Sequence, residues 1–136
     1  MADDAVGSQN SVLYRLLNAL TNVDCDALND LVAESIAVAI PGARDLDITL
    51  KASGRAALCA WSKIVHDECG NMKFVLHRYF ENECEMMAIG NMNIQRIPRV
   101  FECECGIHVR FECGKVASFK LFFDTYALEK FRGQMD

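Results

Sequence analysis

Asp124, His77, Tyr14 and Trp61 are the side chains whose type and placement could do chemistry. Asp124 stands where the apolar segment Val116–Phe123 leaves the core. An ionised carboxylate is costly to bury, so such a residue either faces water or sits in a lined site. In a desolvated site it would serve as a general acid or base on an apolar substrate. Asp124-Thr125 ahead of Tyr126-Ala127-Leu128-Glu129 is also a good helix-capping sequence, and the two roles are compatible. His77 begins the strand-rich half beside Arg78 and Tyr79. An imidazole there suits proton transfer near neutral pH, or a hydrogen-bonded place at a sheet edge. One of His77 and Arg78 must face the interior if their strand is regular. Tyr14 lies beside the main apolar stripe of its segment and could donate a hydrogen bond to a ligand oxygen. Trp61 lies within its stripe, as core or as the wall of a pocket. His108 falls on a polar parity and His66 in the last turn of a helix, where a cation is favoured.

The seven cysteines (Cys25, Cys59, Cys69, Cys84, Cys103, Cys105 and Cys113) are odd in number, and the acidic start Met1-Ala2-Asp3-Asp4 has the wrong character for a secretory signal. They are expected to be reduced thiols of a cytoplasmic protein, mostly small apolar fillers. Cys103-Glu104-Cys105 lacks the C-x2-C spacing of zinc sites, and on a strand Cys103 and Cys105 share a face with Phe101, Ile107, Val109 and Phe111. That is a core face. No metal and no cofactor is expected.

The elements that must position these residues follow from periodicity. Residues 1–9 form a loose tail, and helical spacing begins near Asn10 with Leu13, Leu16, Leu17 and Leu20. Asp24 or Asp26 can cap a second helix carrying Leu28, Leu31 and Val32. Ile36–Ile40 reads as a buried strand stopped by Pro41-Gly42, and Leu46, Ile48 and Leu50 alternate as a half-buried one. From Ser53 runs the clearest helix, with Ala57, Leu58, Trp61, Ile64 and Val65 in one stripe and Gly70 as its stop. Beyond Gly70 the period is two: a strand from Phe74, a turn at Glu81-Asn82-Glu83, and a strand from Met86 to Ile97. Pro98 implies an edge position or a bend. Phe101–Phe111 then alternates, Cys113-Gly114 turns the chain, and a terminal helix holds Tyr126, Ala127, Lys130 and Phe131.

Helices gathered first and antiparallel strands last imply an α+β fold, a single domain over residues 1–136 with helices covering one face of a curved sheet. A sheet wrapped around the long helix would leave a ligand pocket between them. The composition, 51% hydrophobic and 24% charged, is that of a globular domain. A formal charge of −5 without any basic run excludes phosphate-backbone binding, so no nucleic acid is expected. No stretch approaches the roughly 20 apolar residues that span a bilayer, so no membrane is expected either.

Ser53-Gly54-Arg55-Ala56-Ala57-Leu58 is similar to the Gly-Arg-x-x-Ile opening of the third helix in the nuclear transport factor 2-like (NTF2-like) and SnoaL-like superfamily. Phe111-Glu112-Cys113-Gly114-Lys115-Val116, with Asp124 eight residues further on, resembles the family's dGkI…yyD ending. The positions of Asp24 and Pro41-Gly42 also fit, and the likeness spans about residues 10–132. The resemblance implies a cone: a curved antiparallel or mixed sheet wrapped around a long helix, with two N-terminal helices and a short C-terminal one. It also implies homodimerisation through the sheet, and members that are enzymes, ligand binders or interaction modules.

By position Asp124 matches the acid/base carboxylate of the SnoaL-like cyclases. Tyr14 is similar in kind to the hydrogen-bonding tyrosine of the steroid isomerases. Arg96 resembles the arginine of the Arg-x-Asp pair of limonene epoxide hydrolases, but Pro98 stands at the partner carboxylate, so that set is incomplete. The expectation is a binder of a small apolar molecule, possessing Asp124 and His77 as acid/base candidates and Tyr14, Trp61 and Arg96 as ligand-binding groups. If it is an enzyme, it would be an isomerase, cyclase or dehydratase acting on an apolar carbonyl compound. The alternative is a non-catalytic interaction module working through its sheet face.

Overall fold

The structure is a computed structural model that describes residues 9–42 and 50–133. Two amphipathic helices come first, α1 (Gln9–Asn22) and α2 (Cys25–Leu31), then strands β1 (Val32–Ile40) and β2 (Leu50–Ser53). The long helix α3 (Arg55–Glu68) precedes a meander of β3 (Asn71–Glu81), β4 (Glu85–Arg96), β5 (Arg99–Glu112) and β6 (Lys115–Phe122), and α4 (Thr125–Gly133) ends the described chain. The α+β reading holds. The helix placed from Asn10 starts one residue earlier, at Gln9, inside the expected tail. The expected strand at Leu46 and Ile48 lies outside the described residues; only Leu50 of it is seen, opening β2.

The strands form one mixed sheet in the order β2-β1-β6-β5-β4-β3, with β1 parallel to β6 and every other pair antiparallel. Its inner face and the helices share one core. Leu13, Leu16 and Leu20 come from α1, Leu58, Trp61 and Val65 from α3, and Met86, Met92, Ile107, Val109, Phe119 and Leu121 from the sheet. Burying each of these large side chains is worth about 1.5–3 kcal/mol. The stripes that read as helical in the sequence meet here, except that Ile64 of the α3 stripe is exposed and Val32, expected in the second helix, opens β1.

Local chemistry explains the boundaries. Asp24 caps α2 by accepting the Ala27 N–H at 3.1 Å. Ser53 ends β2 rather than starting α3, because Gly54, at φ 99°, makes the corner between them. Gly70, at φ 134°, terminates α3, and a Cβ there would come within 2.4 Å of the Gln95 carbonyl oxygen. The glycine-free turn at Glu81–Glu83 is held by Asn82, whose Oδ1 accepts the N–H groups of Cys84 and Glu85, each at 3.0 Å.

Of the two expectations for Pro98, the edge position fails and the bend holds, as a full reversal of the chain. Ile97-Pro98, joined by a cis bond, is the two-residue turn between paired Arg96 and Arg99, in a hairpin at the centre of the meander. Missing ladder donors do not matter in a turn.

Candidate functional site

Tyr14 projects from α1 toward β3, where its hydroxyl meets that of Tyr79 at 3.0 Å, the rings standing edge to face with centroids 6.3 Å apart. The pair arises from a flaw in β3. Register slips between Leu76 and Arg78, leaving His77 as an extra residue. Before the slip Met72, Phe74 and Leu76 turn toward the core; after it Tyr79 takes that side. Neither His77 nor Arg78 then has to enter the interior, as a regular strand would have demanded. Both are exposed.

Gly90 sits opposite the slip, with the Val75 carbonyl oxygen 2.1 Å from where a Cβ would be. Only a glycine permits that approach.

Tyr14 also borders a hollow of about 390 Å³ between α1 and β3, lined by Leu17, Asn18, Thr21, Asn22, Lys73 and Phe74. The lining joins apolar surface to an ammonium, a hydroxyl and side-chain amides. The hydrogen bond with Tyr79, helped by partial burial and by the charge Tyr79 would carry, raises the Tyr14 pKa above 10.0. The phenol therefore keeps its proton and is not a phenolate base.

The other candidates lie elsewhere. Asp124 is exposed, and its Oδ1 accepts the Ala127 N–H at 2.9 Å, so the carboxylate caps α4. His77 stands on the outer face of the sheet, its Nε2 3.0 Å from the Asn91 amide nitrogen. Trp61 is 2% exposed, deep in the core. Arg96 donates from Nη2 to the Asp67 carbonyl at 2.6 Å, satisfying a backbone group at the C-terminal end of α3. The structure thus brings Tyr14 to a hollow and does not gather Asp124, His77, Trp61 and Arg96 around it. Sequence reasoning missed Tyr79 and Lys73. The register slip hides Tyr79, and Lys73 resembles any charge on an outward parity.

The cysteines divide into groups. Cys25 and Cys59 form a disulfide joining the start of α2 to α3, with Cα atoms 5.5 Å apart, which corrects the expectation that all seven are reduced. Burial pushes the Cys69 thiol up to about 11 and Cys105 up to about 12. Cys103, beside the Asp124 backbone, is raised for the same reason. Such thiols are inert core groups. Among the described residues no group of three or more His, Cys, Asp and Glu side chains could hold a metal ion.

No family model matches this chain. No curated protein matches it either. Its backbone, however, superposes on solved structures along nearly its whole length. An NTF2-like protein of unknown function from Burkholderia pseudomallei is similar at a TM-score of 0.78 and 16% identity, over 90% of this chain and 95% of that one. The chain has the NTF2-like fold. A putative SnoaL-like polyketide cyclase from Jannaschia sp. matches this chain at a TM-score of 0.73 and 8% identity, covering 94% and 93% of the two. TerC, co-crystallised with polyporic acid, matches at 0.79 and 13%, covering 91% and 97%. The resemblance seen in the Gly-Arg and Gly-Lys motifs is therefore matched by the architecture.

Proposed function

We propose that this protein binds a small, largely apolar molecule with an acceptor oxygen in the hollow between α1 and β3. The observation that carries this reading is the Tyr14 hydroxyl, fixed by Tyr79 at 3.0 Å on the rim of a space of about 390 Å³. Leu17 and Phe74 would take the apolar body of the ligand, and on binding Tyr14 would turn its one proton from Tyr79 to the ligand oxygen and accept the Tyr79 proton in exchange. Lys73 would favour a ligand with partial or full negative charge on that side. Support also comes from a neighbour of the same fold that was co-crystallised with polyporic acid.

The reading is binding rather than turnover. Asp124 is engaged with the α4 backbone and exposed, and His77 lies on the opposite side of the sheet from Tyr14. Amide NMR titration with polyporic acid and a panel of planar ketones tests the seat. Shifts should cluster at Leu17, Asn18, Thr21 and Lys73, and Tyr14→Phe should weaken binding by roughly three- to tenfold, the worth of one hydrogen bond. Shifts confined to the neighbourhood of Asp124 would sink this seat and revive the acid/base role.

A second observation favours self-association. Val75, Phe80, Ile89 and Phe122 are exposed on the outer face of the sheet, away from the helices. We infer that this face pairs with that of a second copy of the chain.

A further inference from the structure

His108 and Glu85 are hydrogen-bonded on the outer face of the sheet, the imidazole Nε2 standing 2.9 Å from the Glu85 Oε2. Strand register sets His108 beside Met87, which in turn pairs with Phe80, so the two polar groups border the exposed apolar side chains of that face. Their side chains are 31% and 42% exposed. They sit in a hollow of about 320 Å³ whose walls include Phe80, Glu81, Asn82 and Met87. Asn82 holds the carboxylate from its other side, Nδ2 donating to Oε1 at 3.1 Å.

The other charges around His108 do not replace this partnership. Lys120 is its paired neighbour on β6, but that ammonium rides on a long, exposed stem. Arg110, two residues on along β5, is engaged by Glu112. Arg78 of β3 lies over the Phe80 ring, 5.5 Å from its centroid. Glu81 lines the hollow and adds negative charge. Glu85, in direct contact, dominates, because charge interactions weaken with distance and with intervening water. A face that carries Arg78 and Lys120 together with Glu81 and Glu85 has both signs, as a surface that pairs with its own copy requires.

We propose that protonation of His108 strengthens the pairing of outer faces, so that the self-association inferred above, on which this proposal rests, is favoured by mild acid. In the free chain water screens the pair, and proton uptake gains little. A second copy laid over the face removes that water. Beside a neutral imidazole the covered Glu85 carboxylate is an uncompensated charge; beside an imidazolium it is half of a balanced ion pair. Histidine is the side chain that ordinarily changes charge between about pH 5 and 8. The covered face therefore holds more protons than the free one, and association strengthens as pH falls through that range and weakens as it rises. Glu85 stays ionised throughout, because hydrogen bonds from His108 and Asn82 hold its carboxyl below the ordinary 4.5.

Sedimentation equilibrium of the intact chain at constant ionic strength tests this. The dimer Kd should fall by roughly tenfold from about pH 8 to about pH 6, since a charge-assisted hydrogen bond is about twice as strong as a neutral one and each dimer has two. His108→Gln and Glu85→Gln should each flatten that change. His77→Gln is the control: His77 also stands on the outer face, but its partner is the Asn91 amide, and the pH dependence should survive. NMR of the unaltered chain gives a readout that no variant's folding can disturb. The His108 ring resonance should titrate at higher pH in a concentrated sample than in a dilute one. A dimer whose Kd ignores pH, a pH effect retained in full by His108→Gln, or a His108 titration independent of concentration would overturn the proposal and leave self-association standing. A monomer at every pH would remove both.

Discussion

Asp124 and Tyr14 exchange the prominence that their sequence positions suggest, and the reason lies in what each polar atom touches. The Asp124 carboxylate accepts a backbone N–H of the first turn of α4. If capping is its work, Asp124→Ala should lose about 1 kcal/mol of stability in urea unfolding, while Asp124→Asn, an equally good cap, should lose little. A destabilised Asn variant would show that the charge matters beyond the cap. Tyr14 makes the opposite case. Its folded-state pKa lies above the ordinary 10.0, so the folded state holds this proton more tightly than the unfolded chain does. The resulting stability is present below pH 10.0 and is lost as pH rises past it toward the folded value. Stability should therefore fall less steeply above about pH 10 in Tyr14→Phe than in the parent, as read by alkaline unfolding curves. Equal slopes would deny the Tyr14–Tyr79 bond. The sequence displays Tyr14 but not its partner, because parity counting assumes an unbroken strand and β3 gains a residue at His77.

Among the helices, strands and turns, what was legible is whatever local patterning dictates. The α3 stripe, the alternation of β5, the turn at Cys113-Gly114 and the helix after Asp124 all appear where period and punctuation put them. The misreadings involve contacts between distant positions. Cys25 and Cys59 are 34 residues apart on different helices, and no periodicity links them. Closing a loop of that length in the unfolded chain is worth about 3–4 kcal/mol. Cys25→Ser/Cys59→Ser, or reduction of the parent, should lower unfolding stability by about that amount. An unchanged midpoint would mean that the bond contributes nothing in solution. Gly90 is another long-range constraint. A methyl group there would strike the Val75 carbonyl, which is backbone and cannot step aside. Gly90→Ala should therefore destabilise the β3–β4 pairing by about 1–3 kcal/mol, the usual cost of overpacking, with amide exchange rising first in Val75 and Leu76. An undisturbed exchange pattern there would argue against the close approach.

For the whole molecule, the decisive surface is the outer face of the sheet, which the helices leave uncovered. Pairing across four strands sets Arg78, Ile89, Gly106 and Phe122 in one row and Phe80, Met87, His108 and Lys120 in the next. Gly106 leaves the centre of the first row without a side chain, and Met87 lies close over it, its Cε 3.3 Å from where a Cβ would stand. The outcome is an apolar strip bordered by charge, with Phe80 54% and Phe122 41% exposed. Such contiguous apolar surface marks an interaction site more often than a solvated face. A two-fold pair of these faces would meet strip to strip, and a stable contact of this kind buries about 800 Å² on each partner. The unmodified chain should therefore sediment as a dimer at micromolar concentration. Phe122→Glu would put a charge at the β6 end of the strip without disturbing the core, and should yield a folded monomer. Ile97→Glu is the control: Ile97 is 85% exposed, in the β4–β5 turn rather than in either row, and that variant should remain dimeric. If the parent sediments as a monomer, or if both variants dissociate alike, the outer face is not the contact. The Tyr14 hollow, on the helix side of the sheet, would keep its ligand in either state, so binding and self-association can be tested independently.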